Sequence, residues 1–204
     1  RGKHAIEDHF DVSVELNHLL SDQGKDDVLA DINGWMPKPG QISYTRQMAP
    51  LGLGHAVWCA RHLIGDEPFA VLLADDLVMS ETPCLKQMVD VYAETGGSVV
   101  AVMDVPLEHT NRYGILDVDH DDGRLASIKG LVEKPEPAKA PSNLCIIGRY
   151  ILQPEVFEYL GKQEQGAGGE IQLTDALAKT IDRIPFHGLR FKGDRFDCGD
   201  KLGF

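Results

Sequence analysis

The sequence contains little that would hold it together through disulfides or a cysteine-bound metal. Its four cysteines lie far apart and form no Cys-x-x-Cys pair, which disfavours a zinc site or a disulfide framework. Free cysteines in apolar or mixed surroundings usually pack as small hydrophobic residues. We therefore expect reduced, buried thiols at Cys59, Cys84, Cys145 and Cys198.

Positive charge is also scarce, since 20 basic residues face 32 acidic ones and the net charge is -12. A general nucleic-acid-binding protein needs an excess of Lys and Arg, so that class is disfavoured. A nucleotide substrate is still compatible, because a metal ion and a few placed cations can neutralise a phosphate locally. No signal peptide or membrane-spanning apolar run is visible. We expect a cytoplasmic protein with no nucleic-acid or membrane partner.

Several catalytic patterns are missing. The Gly-rich stretch 47–56 is followed by no Gly-Lys-Ser/Thr, and it is not a Gly-x-Gly-x-x-Gly motif. No Ser-His-Asp or Cys-His arrangement is recognisable, and His55, His109 and His187 have no partner at a telling spacing. We interpret these histidines as structural or surface residues.

Strand-like and helix-like segments alternate along the 204 residues, a length that suits one sizeable domain. The continuous apolar run 69–73 indicates a strand buried on both faces. Alternation of this kind predicts an α/β fold with a mostly parallel sheet, in which ligands bind beyond the carboxyl ends of the strands. Predicted strands are 69–73, 98–103, 114–118, 127–132, 144–152 and 186–191. Predicted helices are 55–64, 84–92, 154–160 and 172–184.

Two acidic positions are candidate metal ligands. Asp75 and Asp76 directly follow the 69–73 strand, where two carboxylates would suit Mg²⁺, which leaves its other positions to water and phosphate. The alternative is a turn or a helix N-cap, both of which favour Asp. Asp197 lies between an aromatic residue and Cys198-Gly199, and it gains meaning only if it meets Asp75 in space.

Two further stretches could bind a nucleotide sugar. Glu133-Lys134-Pro135 offers a carboxylate for sugar hydroxyls and a mobile cation for a phosphate, although a solvated ion pair is the simpler interpretation. Gln47 leads a Gly-rich entry into a helix, and its amide can pair with the edge of a pyrimidine. Glycines such as Gly52 permit close approach to a flat ring.

The order of these stretches along the chain is more telling than any one of them. Taken together they resemble the bacterial UTP–glucose-1-phosphate uridylyltransferases from end to end. The stretches that carry the resemblance are 1–3 with 6–11, 47–56, 73–76, 112–114, 132–135, 141–143 with 148–150, 170–176 and 197–204.

The resemblance implies a Rossmann-like nucleotidyltransferase core, with a mixed, mostly parallel sheet flanked by helices, as a single catalytic domain over 1–204. It implies synthesis of UDP-glucose and pyrophosphate from UTP and glucose 1-phosphate, with Mg²⁺ as cofactor, in a homodimer or homotetramer. The residues it implies are Gln47, Gly52, Asp75 and Asp76 for the nucleotide, Gly114, Glu133, Lys134 and Asn143 for the sugar phosphate, and Asp75 with Asp197 for the metal. The catalytic residues it implies are Asp75, Lys134 and Asp197.

The family also opens with a strand and a Gly-rich loop carrying an Arg, which wraps the phosphates, and it closes with a C-terminal helix. We expect the given chain to be a piece of a longer protein that has both. Two rival functions stay open at this point. One is a nucleotidyltransferase that uses another nucleotide, such as dTTP, and the other is a non-catalytic sugar-nucleotide-binding protein with the same fold.

Overall fold

A computed structural model of the chain describes residues 4–199. The chain divides between Arg46 and Gln47 into two compact units. The motif stretches 1–3 and 200–204 that contribute to the family resemblance lie outside the described residues. The single catalytic domain over 1–204 stays a prediction.

The first unit is helical. Its helices are α1 (His4–His9), α2 (Val14–Asp22) and α3 (Asp26–Trp35). Ser13 caps α2 by accepting the Leu16 N–H at 3.4 Å. Asp26 and Asp27 lie in the first turn of α3, where acidic side chains complement the helix dipole.

Within the described part of the second unit there are five α-helices, and the four predicted helical segments cover all of them. The predicted helix 84–92 is confirmed and runs on to Thr95, with Pro83 before its first residue and Gly96 at positive φ after its last. The predicted helix 55–64 is broken at Ala60, and the one at 172–184 ends at Ala178. These helices are α4 (Leu53–Cys59), α5 (Arg61–Ile64), α6 (Cys84–Thr95), α7 (Val156–Leu160) and α8 (Leu173–Ala178).

The six predicted strands form one sheet, and a further pair forms a small second sheet. The strands are β1 (Phe69–Leu72), β2 (Asp76–Met79), β3 (Ser98–Asp104), β4 (Gly114–Asp121), β5 (Leu125–Glu133), β6 (Leu144–Leu152), β7 (Phe186–Arg190) and β8 (Asp194–Asp197). The large sheet has the order β1-β6-β3-β7-β5-β4, and β2 pairs with β8. A mixed sheet flanked by helices is therefore confirmed.

The expectation of mostly parallel pairing is wrong. Among the described strands only β3 and β7 pair in parallel. The β4–β5 hairpin is antiparallel, the long strand β6 runs opposite to β1, β3 and β4, and the pairs β5–β7 and β2–β8 are antiparallel as well. Alternation of helix and strand does not reveal which strands become neighbours, so it could not exclude this arrangement.

The expectation that β1 is buried on both faces is also wrong. Its residues alternate between partly buried and exposed, and Leu72 is 50% exposed. β1 lies at the end of the described sheet, where it pairs with β6. An apolar run by itself does not distinguish a central strand from one at the end of a sheet.

The core lies on both faces of the sheet. Val100 and Val102 of β3 pack into a cluster with α4, α7 and α8. Their neighbours Val99 and Ala101 point the other way and pack into a second cluster with α6. Because alternate side chains of a strand face opposite sides, burial on both faces requires the continuous apolar run seen at β3.

All four cysteines lie within residues 4–199 and form no disulfide there, and the expectation of burial is right for two of them. Cys84 and Cys145 are buried, whereas Cys59 and Cys198 are partly exposed. Burial raises the pKa of the Cys84 and Cys145 thiols to about 11, so both stay protonated at neutral pH. Within residues 4–199, no helix is both long and apolar enough to cross a membrane.

Candidate active site

One cleft of about 360 Å³ gathers most of the predicted site residues of the second unit. It lies where the chain leaves β1 and β5 and is bordered by the loop before α8. A wider cleft of about 630 Å³ beside Arg61 and Glu155 contains none of the predicted site residues. Six of the nine predicted residues line the smaller cleft: Asp75, Asp76, Gly114, Glu133, Lys134 and Asp197.

The small sheet brings Asp75 and Asp197 together, although they are far apart in sequence. β2 pairs with β8 so that Asp76 stands opposite Asp197. The Cys198 N–H then donates to the Asp75 carbonyl oxygen at 2.7 Å. A Cβ atom built on Gly199 would lie 3.1 Å from Asp197 Oδ1 and 3.4 Å from Asp75 Oδ2. Both carboxylates therefore face the same small volume.

Asp76 occupies a different environment from Asp75. Its side chain is buried, and its Oδ2 accepts the Gly148 N–H at 2.9 Å. Its Oδ1 accepts a close hydrogen bond from Arg195 Nε. Both oxygens are thus engaged within the protein, which suits a carboxylate that organises the site. The nucleotide-binding role of Asp76 stays a prediction.

Arg195 forms a bridge between Asp76 and Asp197. Its role was not predicted from the sequence. Besides Asp76, its Nη2 donates to Asp197 Oδ2 at 3.2 Å, and its guanidinium lies 5.5 Å from the Tyr113 ring centroid. Burial by itself would lower the pKa of Arg195, but hydrogen bonds with Asp76 and Tyr113 outweigh it and raise the pKa above its usual value. The residue is a fixed cation beside the carboxylates.

Glu133 and Lys134 reach the same cleft because the backbone turns between them. Consecutive strand residues normally point to opposite faces, but Lys134 has a φ of 47°. Its N–H donates to the Tyr113 carbonyl at 3.0 Å, which holds this turn. Lys134 Nζ lies 3.7 Å from Glu133 Oε1, with the lysine half exposed and the glutamate 12% exposed. A left-handed conformation in a non-glycine residue costs about 1–2 kcal/mol and clusters at functional sites.

Gly114 leaves space beside Glu133, its partner across the β4–β5 pair. A Cβ at Gly114 would stand 3.1 Å from Thr174 Oγ1 and 3.2 Å from Glu133 Oε2. The absence of a side chain therefore keeps the Glu133 carboxylate and the Thr174 hydroxyl accessible from one side.

The Gly-rich loop of Gln47 and Gly52 lies beside the cleft and not among its lining residues. Gln47 Nε2 donates to the Gly52 carbonyl at 3.0 Å and lies 3.0 Å from His55 Nδ1. Gly52 has a φ of 100°, and a Cβ there would lie 2.8 Å from Cβ of Glu170, which lines the cleft. The loop is thus fastened beside the cleft by residues 170–171.

Asn143 is the predicted sugar ligand that the structure does not place in the cleft lining. It is exposed and immediately precedes β6, and its carbonyl accepts the Val105 N–H at 2.9 Å. Its sugar-binding role stays a prediction.

Several cleft residues were missed by sequence reasoning. Tyr113 and Thr174 lie inside motif stretches but have side chains common in any fold, so composition gave no signal for them. Burial, together with the nearby Glu133 and Asp76 charges, raises the pKa of Tyr150 and keeps its phenol protonated. The missed lining residues with polar side chains are Arg112, Tyr113, Tyr150, Glu170, Gln172, Thr174 and Arg195.

The donor set of Asp75 and Asp197 fits a magnesium ion. Within residues 4–199, no group of three or more His, Cys, Asp and Glu side chains is arranged to hold a metal, which excludes a closed all-protein cage there. Mg²⁺ is typically bound by one or two carboxylates and completes its shell with water and substrate phosphates. Two carboxylates opening into a cleft match that preference.

A family profile described as Nucleotidyl transferase matches residues 12–200 of the chain. A UTP–glucose-1-phosphate uridylyltransferase from Komagataeibacter xylinus is 51% identical over 202 residues, covering 99% of this chain and 71% of that protein. The chain thus spans about 70% of the length of this relative.

Solved structures show the same similarity in three dimensions. An apo UDP-glucose pyrophosphorylase is 42% identical, with a TM-score of 0.89 over 100% of this chain and 75% of that one. A UDP-glucose pyrophosphorylase in complex with UDP-glucose is 41% identical, with a TM-score of 0.87 over 100% of this chain and 74% of that one.

Proposed function

Because this chain belongs to the nucleotidyl transferase family, and within it to the UTP–glucose-1-phosphate uridylyltransferases, we propose that its cleft forms UDP-glucose and pyrophosphate from UTP and glucose 1-phosphate. The observation that carries the proposal is the meeting of Asp75, Asp197, Glu133 and Lys134 in one cleft. The carboxylates of Asp75 and Asp197 could bind a metal ion. Beside them, Lys134 offers a positive charge for a phosphate and Glu133 a carboxylate for sugar hydroxyls.

The sugar phosphate is held by the turn at the end of β5. Glu133 accepts hydrogen bonds from sugar hydroxyls in the space that Gly114 leaves open. Lys134, on its flexible stem, contacts the phosphate attached to the sugar. Because the left-handed turn fixes both side chains to the same side, one ligand can meet both at once.

The base is recognised by the loop beside α4. The NH₂ group of Gln47 is engaged by the Gly52 carbonyl and by His55. Gln47 therefore presents its carbonyl oxygen, which accepts the imino N–H of uracil. Gly52 supports this arrangement, because its φ of 100° and its close contact with residues 170–171 fix the carbonyl that holds Gln47.

The chemical step needs no covalent intermediate. An oxygen of the glucose 1-phosphate phosphate attacks the α-phosphorus of UTP, the bond from that phosphorus to the bridging oxygen breaks, and pyrophosphate leaves with the bonding pair. The attacking phosphate is already ionised at neutral pH, so no general base is required. No histidine is found among the described residues that line the cleft. Lys134 contributes by aligning the attacking group.

Asp75 and Asp197 are the residues that would hold Mg²⁺. When bound, the ion supplies charge neutralisation and a template for the phosphates. The family resemblance further suggests a homodimer or homotetramer, which stays a prediction.

We expect the full-length protein to prefer UTP with glucose 1-phosphate over other pairs. Initial rates of pyrophosphate release across UTP, dTTP, ATP and GTP, combined with glucose, galactose and mannose 1-phosphates, provide the measurement. A preference for dTTP would favour the rival nucleotidyltransferase. Binding of UDP-glucose without turnover of any pair would favour a binding protein instead.

We expect Glu133 and Lys134 to affect different kinetic constants. Glu133→Ala should raise the KM for glucose 1-phosphate and reduce discrimination against galactose 1-phosphate by about tenfold or more, because sugar hydroxyls lose their partner. Lys134→Ala should chiefly lower kcat, by about a hundredfold, because the attacking phosphate loses its alignment. Steady-state kinetics with each sugar phosphate separate the two effects.

A matched control for that pair exists on the surface. Lys139 and Glu136 form an ion pair at 2.7 Å with both side chains more than 70% exposed. Lys139→Ala should leave kcat and KM unchanged, since exposed pairs contribute little. If Glu133→Ala and Lys134→Ala behaved like this control, the Glu133–Lys134 pair would be an ordinary surface ion pair.

A further inference from the structure

Arg195 connects the proposed metal ligand Asp197 to the interior of the fold. Its side chain is 11% exposed, whereas that of Asp197 is 36% exposed. Nε bonds to buried Asp76, whose other oxygen is held by the Gly148 N–H. Nη2 bonds to Asp197 Oδ2 at 3.2 Å. Asp197 is thereby linked, through one guanidinium, to a backbone amide of the large sheet.

Because of this linkage, the two carboxylate oxygens of Asp197 have different partners. Oδ2 accepts from Arg195, and Oδ1 accepts the Gly199 N–H at 3.1 Å. Oδ1 is also the oxygen that faces the volume shared with Asp75 Oδ2. With Oδ2 fixed, the carboxylate cannot rotate to exchange its oxygens without breaking the bond to Arg195.

We propose that Arg195 is a positioning residue for metal binding: it holds the Asp197 carboxylate so that Oδ1 stays directed at the volume shared with Asp75. The inference rests on the proposed function for the identity of the cation. Partners that orient a ligating carboxylate typically alter metal affinity by about 10–100-fold when they are replaced.

The charge and the geometry of Arg195 have opposite effects on the affinity for a metal ion, so the test must separate the two effects. Asp75, Asp76 and Asp197 with Arg195 leave two net negative charges, which match one divalent cation. Removing the arginine charge would strengthen the attraction for a cation while loosening Asp197. Arg195→Lys keeps the charge but replaces the planar fork, which spans two carboxylates, with a single ammonium group. This substitution therefore changes the geometry and the hydrogen bonds while the formal charge stays the same.

The chain offers a matched control in Arg190. Its Nε lies 2.9 Å from Asp104 Oδ2 and its Nη1 lies 2.8 Å from Asp121 Oδ1, so it also joins two aspartates through one guanidinium. Neither aspartate lines the cleft. Arg190→Lys makes the same chemical change in the same kind of bridge, away from Asp75 and Asp197.

The experiment titrates the full-length protein with Mn²⁺ alone and follows free Mn²⁺ by electron paramagnetic resonance. We expect Arg195→Lys to weaken Mn²⁺ binding by about 10–100-fold, with Arg190→Lys unchanged. Thermal melts report the stability of each variant, and Arg195→Lys should lose more stability than Arg190→Lys, because the Arg195–Asp76 pair is the more buried of the two bridges. Equal Mn²⁺ affinity in wild type and Arg195→Lys would overturn the proposal, as would an equal loss in the Arg190→Lys control.

A double-variant cycle checks that Arg195 acts through Asp197. In an Asp197→Asn background, Arg195→Lys should cause no further loss of Mn²⁺ affinity, whereas an additive loss would contradict the proposed route. If Arg195→Lys does not fold, Tyr113→Leu replaces it. That change removes the ring 5.5 Å from the guanidinium and leaves every charge in place. A several-fold weaker Mn²⁺ affinity is then expected, and an unchanged one would overturn the proposal.

Kinetics distinguish this inference from the proposed function. With UTP and glucose 1-phosphate, Arg195→Lys should raise the Mg²⁺ concentration needed for half-maximal rate by the same factor, with the KM for glucose 1-phosphate unchanged. A protein that binds Mn²⁺ through Asp197 and Arg195 but makes no UDP-glucose would contradict the function and support the inference. If the protein makes UDP-glucose and Arg195→Lys needs no more Mg²⁺ than the wild type, the function would be supported and the inference contradicted.

Discussion

Asp75→Asn in the full-length protein is expected to lower kcat for UDP-glucose formation by about a thousandfold, on the order of 4 kcal/mol of transition-state stabilisation. Asn has almost the same shape as Asp but no negative charge, and it is a poor ligand for Mg²⁺. The fold should persist, because the side chain is exposed and it is the backbone carbonyl of Asp75 that accepts the Cys198 N–H. The measurement is kcat at saturating substrates and Mg²⁺, with a thermal melt of the same sample.

A matched substitution tests whether the effect is local. Asp119 is exposed in β4 and lies outside the cleft lining. Asp119→Asn removes the same charge and should leave kcat within about twofold of the wild type, because exposed charges at a distance are screened. A kcat for Asp75→Asn within tenfold of the wild type would show that Asp75 does not hold the catalytic cation.

Gly148→Ala is expected to reduce the free energy of unfolding by about 2–4 kcal/mol. The new methyl group would lie 2.5 Å from Asp76 Oδ2 and 2.7 Å from Leu73 Cβ. Asp76 would have to leave the Gly148 N–H, and a buried acceptor without its donor is costly. Because Asp76 also bonds to Arg195, the disturbance should extend into the cleft. Urea denaturation measures the stability, and kcat on the folded fraction measures the second effect.

Gly34→Ala provides the control for that change. Gly34 lies in α3, and nothing stands within 4 Å of a Cβ built there. Ala in a helix is favoured over Gly by about 0.5–1 kcal/mol, so this variant should be unchanged or slightly more stable. If Gly148→Ala were equally harmless, the sheet around Leu73 and Asp76 would be looser than the structure indicates.

Local sequence patterns predicted the strands of the large sheet but not those of the small one. Strand β6 was predicted with its observed bounds, because a long apolar run bounded by polar residues has few other uses. β2 and β8 were not predicted, since each has four residues with mixed exposure. Such short strands form only because they meet each other, which no local window of sequence can show.

The candidate site also contains residues that local sequence signals identify and residues whose role depends on the pairing of distant strands. The sequence singled out Asp75 and the Glu133-Lys134 pair because each follows a predicted strand, and the structure places all three in the lining of one cleft. Arg195 belongs to the same stretch as Asp197 but received no role, since an arginine beside an aromatic residue is common on any surface. The bridge from Asp76 to Asp197 through Arg195 exists only where β2 and β8 pair. Asn143 was assigned by resemblance alone, and the cleft lining does not include it.

By itself the sequence determined the family, the six strands of the large sheet and six of the residues that line the cleft. These features depend on local composition and on the order of motifs, and both are present in the sequence itself. Only the tertiary structure decided that the sheet is mostly antiparallel, that Asp75 and Asp197 share one volume, and that a left-handed turn places Lys134 beside Glu133. Pairing between distant strands and a strained backbone angle depend on contacts between remote residues, so neither is encoded in any short stretch of the chain.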